Sequence, residues 1–311
     1  MELEVAVLVP CYNEERAIDK VVRDFQAAIP GCRVFVYDNA STDRTSELAL
    51  AAGAVVRRET LPGKGNVVRR MFADIEADVY VLVDGDDTYD AASAPKLINK
   101  LMSESLDLVT GARVEISQQA YRPGHRFGNW ILTTLVASLF GNHFTDMLSG
   151  YRVLSRRFVK SFPALSSGFE IETELTVHAL QVRVPIAELP TPYKDRPAGS
   201  HSKLNTIRDG VRILSTIGRL VKEERPMYFF GLVGALLMLA SLAAGYPVVA
   251  EYLRTGLVPR LPTAVLATGL TVLACLSFVC GLILDTVTKG RQELKRLHYI
   301  AIPIRLRSGS R

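Results

Sequence analysis

At 311 residues, 48% hydrophobic and 22% charged, the chain has the material for a packed core in one large domain or two small ones. Its four cysteines, Cys11, Cys32, Cys275 and Cys280, form no Cys-x-x-Cys pair. That spacing argues against a disulfide framework or a zinc site and for reduced thiols in a cytosol-facing domain. A net charge of +5 suits an anionic partner such as a phospholipid surface or a nucleotide, and nothing in the motifs below points to nucleic acid. A mean hydropathy of +0.17 is high for a purely soluble enzyme, and most of the excess lies after Tyr228.

Val5–Val9 is a short apolar run preceded by acidic residues, so it reads as a buried strand rather than a signal peptide. Glu15–Ala28 has helical spacing. Arg33–Tyr37 reads as a strand, Thr45–Ala52 as a helix, Val55–Arg57 as a short strand and Gly65–Ile75 as a third helix. Val79–Val83 reads as a strand buried on both faces. This alternation predicts an α/β domain with a mostly parallel, Rossmann-like sheet. Ligands of such sheets sit beyond the carboxyl ends of the strands. Polar clusters fall at three of those ends: Pro10–Glu14, Asp38–Asp43 and Asp84–Asp87.

Beyond Ala120 the pattern changes. Asn129–Phe140, with the single tryptophan Trp130, is apolar but too short to span a bilayer, so it reads as a buried helix or one lying at a membrane surface. From Ser202 to Arg225, apolar residues recur at steps of three and four among Arg208, Arg212, Arg219, Lys222 and Arg225. This is a basic amphipathic helix suited to a lipid surface. Phe229–Ala250 and Leu261–Leu284 carry no charged residue, and each is long enough to cross about 30 Å of hydrocarbon. Lysines and arginines flank the pair on its outer sides, which places both outer ends in the cytoplasm. The expected organisation is a cytosolic catalytic domain at 1–200, an interfacial helix at 201–227, two transmembrane helices at 228–288 and a cytosolic tail at 289–311. Residues Ile302–Arg307 read as a strand or a surface arm.

Asp84-Gly85-Asp86-Asp87 crowds carboxylates after a buried strand. Their repulsion is relieved by a divalent cation, and an all-oxygen donor set favours Mg²⁺ or Mn²⁺ completed by water and phosphate. An acidic turn or a helix cap remains the alternative. Val9-Pro10-Cys11-Tyr12-Asn13-Glu14 offers a fixed turn, a flat ring and hydrogen-bonding groups for a nucleobase and ribose. Asn13 could equally cap a helix. Asp38 can accept from a base N–H, and Ser41 or Asp43 can cap the following helix. The backbone amides of Gly63-Lys64-Gly65-Asn66 and the Lys64 ammonium suit a phosphate. Neither the Walker A pattern nor Gly-x-Gly-x-x-Gly occurs. The histidines, His125, His143, His178, His201 and His298, lack metal-ligand spacing and read as structural.

These motifs resemble family 2 glycosyltransferases of the GT-A fold. Thr145-Asp146-Met147-Leu148-Ser149-Gly150-Tyr151-Arg152, Gly168-Phe169-Glu170-Ile171-Glu172 and Arg196-Pro197-Ala198-Gly199-Ser200-His201-Ser202-Lys203 narrow the resemblance to the polyprenyl-phosphate sugar synthases. The resemblance implies inverting transfer of a hexose or N-acetylhexosamine from a UDP- or GDP-linked sugar to a polyprenyl phosphate at the cytosolic face of a bacterial or archaeal plasma membrane. It implies that Pro10, Tyr12, Glu14, Asp38, Lys64, Asp84 and Lys203 hold the nucleotide sugar. Asp84 and Asp86 would engage Mg²⁺ or Mn²⁺, with Thr88 standing where some members carry a glutamine ligand. Arg113 and Arg126 would grip the acceptor phosphate, with Trp130 where some members have a serine. Asp86, Arg126, Arg196 and Asp146 would form the catalytic set, Asp146 by orienting an arginine rather than moving a proton. A dianionic lipid phosphate is already a nucleophile near neutral pH, so no strong base is needed. The partners are therefore the nucleotide sugar, the lipid phosphate and the bilayer, and a homo-oligomer stays open.

Three other readings compete. A family 2 enzyme acting on a glycolipid or polysaccharide would share these motifs, but processive members carry Gln-x-x-Arg-Trp, which does not occur here. A non-catalytic nucleotide-sugar-binding membrane protein would not need Asp84, Asp86, Arg113, Arg126 and Arg196 together. A sugar nucleotidyltransferase would carry a glycine-rich N-terminal loop, and Cys11–Glu15 has no glycine.

Overall fold

The computed structural model describes residues 3–115, 145–168, 170–195, 218–219 and 221–303. The chain divides into two compact units, Met1–Val211 with Lys295–Arg311, and Arg212–Leu294.

The first unit is built on a seven-stranded sheet. Its strands are β1 (Val5–Cys11), β2 (Arg33–Asp38), β3 (Val55–Arg58), β4 (Val79–Leu82), β5 (Leu108–Glu115), β6 (Arg152–Ser155) and β7 (Ile186–Tyr193), in the order β3-β2-β1-β4-β6-β5-β7. β1 pairs parallel with β2 and β4, β2 with β3, and β5 with β7; β6 runs antiparallel between β4 and β5. The helices of this half are α1 (Ile18–Ala28), α2 (Thr45–Ala51), α3 (Lys64–Asp74), α4 (Ala94–Ser103), α5 (Arg156–Ser161) and α6 (Ile171–Val182). Each predicted element up to Val83 is present within a few residues of its expected ends, since apolar period and turn residues mark those ends unambiguously.

β1 and β4 are central strands covered on both faces, which is why they read as continuous apolar runs. Val7, Leu8, Val9, Val79, Val81 and Leu82 are essentially inaccessible to solvent. Their carboxyl ends point the Pro10–Glu14 and Asp84–Asp87 segments to the same edge. Close approach there is demanded at Gly85, where a Cβ would lie 2.6 Å from Cys11 Sγ.

Arg152 in β6 is fully buried and donates to the carbonyls of Ser149 (3.1 Å) and Met147 (2.7 Å) and to Thr176 Oγ1 (2.9 Å). A buried guanidinium satisfied by carbonyls fixes the loop that precedes it, here residues 146–150. At the opposite end of β5, the last residues of the long C-terminal helix belong to this unit. Tyr299 donates to Asp107 (2.5 Å), Arg157 lies 4.2 Å over the Tyr299 ring, and Lys295 donates to Gln181 (2.6 Å). The segment expected as a tail from 289 is thus helical as far as Ala301.

The second unit contains α7 (Pro226–Thr255) and most of α8 (Leu261–Ala301), both long and apolar enough to cross a membrane. Their large apolar side chains are mostly exposed, including Leu232, Leu239, Leu253 and Leu273. A helix of a soluble core would bury such a set. Between the two helices Ser241 Oγ meets Ala267 O and Thr271 Oγ1, both at 2.7 Å. A Cβ at Gly234 would sit 3.1 Å from Ala274 O. Small residues and hydroxyls are the usual means by which helices associate in lipid. Trp130, Asn129–Phe140 and most of the segment 202–225 expected as an amphipathic helix lie outside the described residues.

His178 in α6 is buried against the rings of Phe158 and Phe162, with centroids at 5.4 and 5.3 Å. Burial, then the charges of Lys295 and His298, push its pKa down to about 3. An unfolded histidine titrates near 6.5. Below that pH the unfolded chain takes up a proton that the folded chain refuses, so stability falls as pH drops from about 6.5 towards 3. His178→Phe is expected to flatten this loss. The wild-type unfolding midpoint should drop between about pH 7 and 5 more steeply than that of the variant in detergent; parallel curves would contradict the assignment.

Candidate active site

Three loops at the strand ends lock together through hydrogen bonds rather than through helix caps. Asn13, at φ 53°, donates its backbone N–H to Ser41 Oγ (2.9 Å) and accepts from the Thr42 amide (2.8 Å). It therefore ties the first loop to the second and does not cap α1. The Glu14 amide donates to Thr45 Oγ1 (2.8 Å), and Asp43 Oδ1 accepts from the Thr45 amide (3.0 Å). Asp38, almost fully buried, accepts from the Ser41 amide (2.9 Å) and Ser46 Oγ (2.8 Å). Its carboxylate is thereby fixed in direction, with two acceptor lone pairs on each oxygen. Tyr12 is 45% exposed and follows directly on β1, whose last two residues are Pro10 and Cys11.

Asn39 extends the lock to the third loop. Its side-chain amide donates to Glu59 O (3.1 Å) and Leu61 O (2.8 Å), and its oxygen accepts from the Gly63 amide (2.7 Å). The amide of Gly65 goes to Ser167 O (3.1 Å), and that of Asn66 to Gly63 O (3.1 Å) and Ser167 O (3.4 Å). The sequence suggests these amides for a phosphate; the fold gives them to its own carbonyls. What the loop directs to the carboxylates is the Lys64 ammonium. It bridges Asp84 Oδ1 and Glu172 Oε1 and is largely buried. Burial works against that ammonium, but the two carboxylates outweigh it and hold its pKa above the usual lysine value.

Asp86 is 4% exposed and accepts from Thr88 Oγ1 (2.6 Å) and from the Thr88 amide (3.3 Å). Thr88 stands at the position for which the resemblance implies a third metal ligand. Thr88 is buried, with its hydroxyl directed at Asp86, so it orients that carboxylate. Among the described residues no group of three His, Cys, Asp or Glu side chains could hold a metal ion. Asp84 and Asp86 are oxygen donors two positions apart at a strand end. Such a pair fits Mg²⁺ or Mn²⁺ in sites where water and substrate phosphates supply the remaining ligands.

Asp146 and Arg113 form a fork. Nε and Nη2 donate to Oδ2 and Oδ1, both at 2.7 Å, and the Arg113 amide adds a third bond at 3.2 Å. Burial opposes ionisation of Asp146, but the hydrogen bonds and charge of Arg113, then the charge of Arg152, hold its carboxyl below the usual range. Asp146 stays ionised and fixes the plane of the guanidinium, which also lies 5.5 Å over the Tyr193 ring.

Two tyrosines that the sequence does not single out join these parts. Tyr89 and Tyr193 meet edge to face at 5.2 Å. Tyr193 lies in the fields of Asp86, Arg113 and Asp84 and shares a hydrogen bond with Thr88, and burial is the main cause raising its pKa. Tyr89 accepts from the Gly150 amide (2.8 Å). Asp84, Asp86, Thr88, Arg113 and Asp146 therefore surround one aromatic pair. Pro10, Tyr12, Glu14 and Asp38 occupy the neighbouring ends of β1 and β2. Arg126, Arg196 and Lys203 lie outside the described residues.

The model of glycosyl transferase family 2 matches residues 6–162. The chain belongs to this family. Among its relatives is the glycosyltransferase AglJ of Haloferax volcanii, 38% identical over 78% of this chain and 78% of that protein. A dolichyl-phosphate hexose transferase of the same organism is 29% identical over 71% of this chain and 96% of its own length. A solved structure of similar fold is glucosyl-3-phosphoglycerate synthase from Mycobacterium tuberculosis in complex with Mn²⁺, uridine diphosphate and glucosyl-3-phosphoglycerate. Its TM-score is 0.58 at 25% identity, covering 71% of this chain and 79% of that one. The family 2 domain here is thus a GT-A fold followed by two long apolar helices.

In this family 2 domain Gly150 packs directly on the Asp84 carboxylate, and a Cβ there would overlap Oδ2. Gly150→Ala is expected to displace Asp84 and lower glycosyl transfer at least about tenfold while leaving the circular dichroism spectrum unchanged. A variant that keeps the wild-type rate would show that Asp84 need not hold its position.

Proposed function

We propose that this family 2 glycosyltransferase is a polyprenyl-phosphate hexosyltransferase. It moves a hexose or N-acetylhexosamine from a UDP- or GDP-linked sugar to a lipid phosphate at the cytosolic face of a membrane. The observation that carries the reading is the fork between Asp146 and Arg113 beside the Asp84–Asp86 pair. An arginine with its plane fixed suits a phosphate acceptor next to a diphosphate-binding pair. Support comes also from the dolichyl-phosphate hexose transferase relative and from the exposed apolar faces of α7 and α8, which would bring the active site to a lipid substrate. The similar structure with Mn²⁺ and uridine diphosphate supports a divalent ion and a nucleotide donor.

On this reading Pro10, Tyr12, Glu14 and Asp38 bind the nucleoside, and Lys64 with Lys203 the diphosphate. Asp84 and Asp86 would hold Mg²⁺ or Mn²⁺, which supplies charge neutralisation to the leaving diphosphate. Arg113 and Arg126 hold the acceptor phosphate in line with the anomeric carbon. One phosphate oxygen forms the new bond to that carbon as the bond to the diphosphate breaks on the opposite face, which inverts the configuration. Arg196 accompanies the departing diphosphate. No side chain has to remove a proton, because the acceptor is already dianionic near neutral pH. Positioning and electrostatics carry the rate.

The test is to incubate membranes containing the protein with undecaprenyl phosphate and a panel of radiolabelled UDP- and GDP-sugars. Label from one donor should pass into the lipid phase, and Asp86→Ala should abolish the transfer. Label that stays aqueous with every donor would overturn the acceptor assignment. Arg113→Ala and Asp146→Asn should each raise KM for the lipid phosphate about tenfold or more, with a smaller effect on KM for the sugar nucleotide. Equal effects on both would remove Arg113 from the acceptor site.

A further inference from the structure

Lys64 sits where a cation is already present before any metal arrives. Its ammonium is held between Asp84, one of the two strand-end aspartates, and Glu172, in the first turn of α6. Glu172 is 5% exposed and makes no contribution to the chemistry described above. A divalent ion that binds Asp84 must displace or repel that ammonium, and a buried ammonium without a carboxylate is strongly unfavourable. Glu172 removes the difficulty, because it keeps Lys64 paired when Asp84 turns to the metal. The loop carrying Lys64 is built to hold this position. Gly63 and Gly65 pack against the carbonyls of Ser167 and Ser166 so closely that a Cβ at either would overlap them. Glu174, two residues beyond Glu172 in the same first turn, fixes the same stretch by accepting from the amides of Leu165 and Ser166, both at 2.8 Å. Lys64 and Glu172 are therefore anchored to one another through backbone as well as side chains.

We infer that Lys64 is a built-in counter-cation that competes with the divalent metal for Asp84, and that Glu172 is the positioning residue that receives Lys64 when the metal binds. This inference rests on the metal reading of Asp84 and Asp86 and deepens it. It makes metal binding weak in the resting protein and strengthened by a diphosphate, which draws the ammonium away from Asp84. Metal and donor thus enter together, and an idle site does not collect divalent ions.

The test uses the full-length protein in detergent and Mn²⁺ alone, titrated by the electron paramagnetic resonance signal of free Mn²⁺. Lys64→Met should bind Mn²⁺ at least about tenfold more tightly than wild type, because one buried positive charge beside the metal is gone. Glu172→Gln should bind it more weakly than wild type. In the Lys64→Met background, Glu172→Gln should change the affinity by less than about threefold, since no ammonium remains to be received. Circular dichroism confirms that each variant is folded. If Lys64→Met binds no more tightly than wild type, or Glu172→Gln has the same effect in both backgrounds, the inference is wrong. The metal reading has its own control: Asp86→Asn added to Lys64→Met should abolish the tight binding. If it does not, the ion lies elsewhere and the assignment to Asp84 and Asp86 fails, whatever the coupling between Lys64 and Glu172.

Discussion

The ammonium of Lys64, buried between Asp84 and Glu172, joins three elements that lie far apart in the chain: the start of α3, the end of β4 and the start of α6. Carboxylates gathered at strand ends repel one another and resist burial, so the fold must supply positive charge or give up the cluster. It does so twice, with Lys64 at Asp84 and with Arg113 at Asp146. Around these two pairs the remaining structure is arranged for support. Thr88 turns Asp86, Gly150 makes room for Asp84, Tyr89 and Tyr193 fill the space between the pairs, and Arg152 holds the loop from which Asp146 and Gly150 project.

Carbonyl and hydroxyl partners make that support rigid. The loops after β1 and β2 are cross-linked by Asn13, Ser41, Thr42 and Thr45, and Asn39 passes the connection on to Gly63. A site that stabilises charge must be held in place before the reaction, because reorganising dipoles during the reaction costs the rate they would supply. The backbone of this family 2 domain meets that condition with hydrogen bonds between loops.

Much of the fold is legible in the sequence because the first half is regular. Val5–Val9 and Val79–Val83 read as buried strands from their short, β-branched apolar runs, and the turns between elements carry their usual residues. The parallel pairing of β1 with β2 and β4 then brings Asp38, Asp84 and Asp86 to one edge of the sheet. Reading becomes harder where a residue's role depends on a partner distant in sequence. Glu172 belongs to a recognisable motif, yet nothing in its spacing says that it meets Lys64. Tyr89 and Tyr193 look like ordinary aromatic residues until β7 brings one beside the other. The amides of Gly65 and Asn66 suggest a phosphate cradle from sequence, and only the position of Ser167 shows them engaged. Thr88 matches a ligand position by count, but a hydroxyl two residues from a carboxylate closes onto it locally. Asp146, to which the resemblance assigns the orienting of an arginine, makes its fork with Arg113 across 33 positions of sequence.

On the proposal above, the carboxylates beyond β4 form a cation and diphosphate site with Lys64 as its resting occupant. Anomalous scattering at the manganese edge, from crystals grown with Mn²⁺ and the nucleoside diphosphate of the preferred donor, tests it most directly. One strong peak is expected in contact with Asp86 and Asp84, with the Lys64 ammonium displaced from Asp84 and retained by Glu172. An ordered nucleotide with no manganese peak at these two aspartates would contradict it.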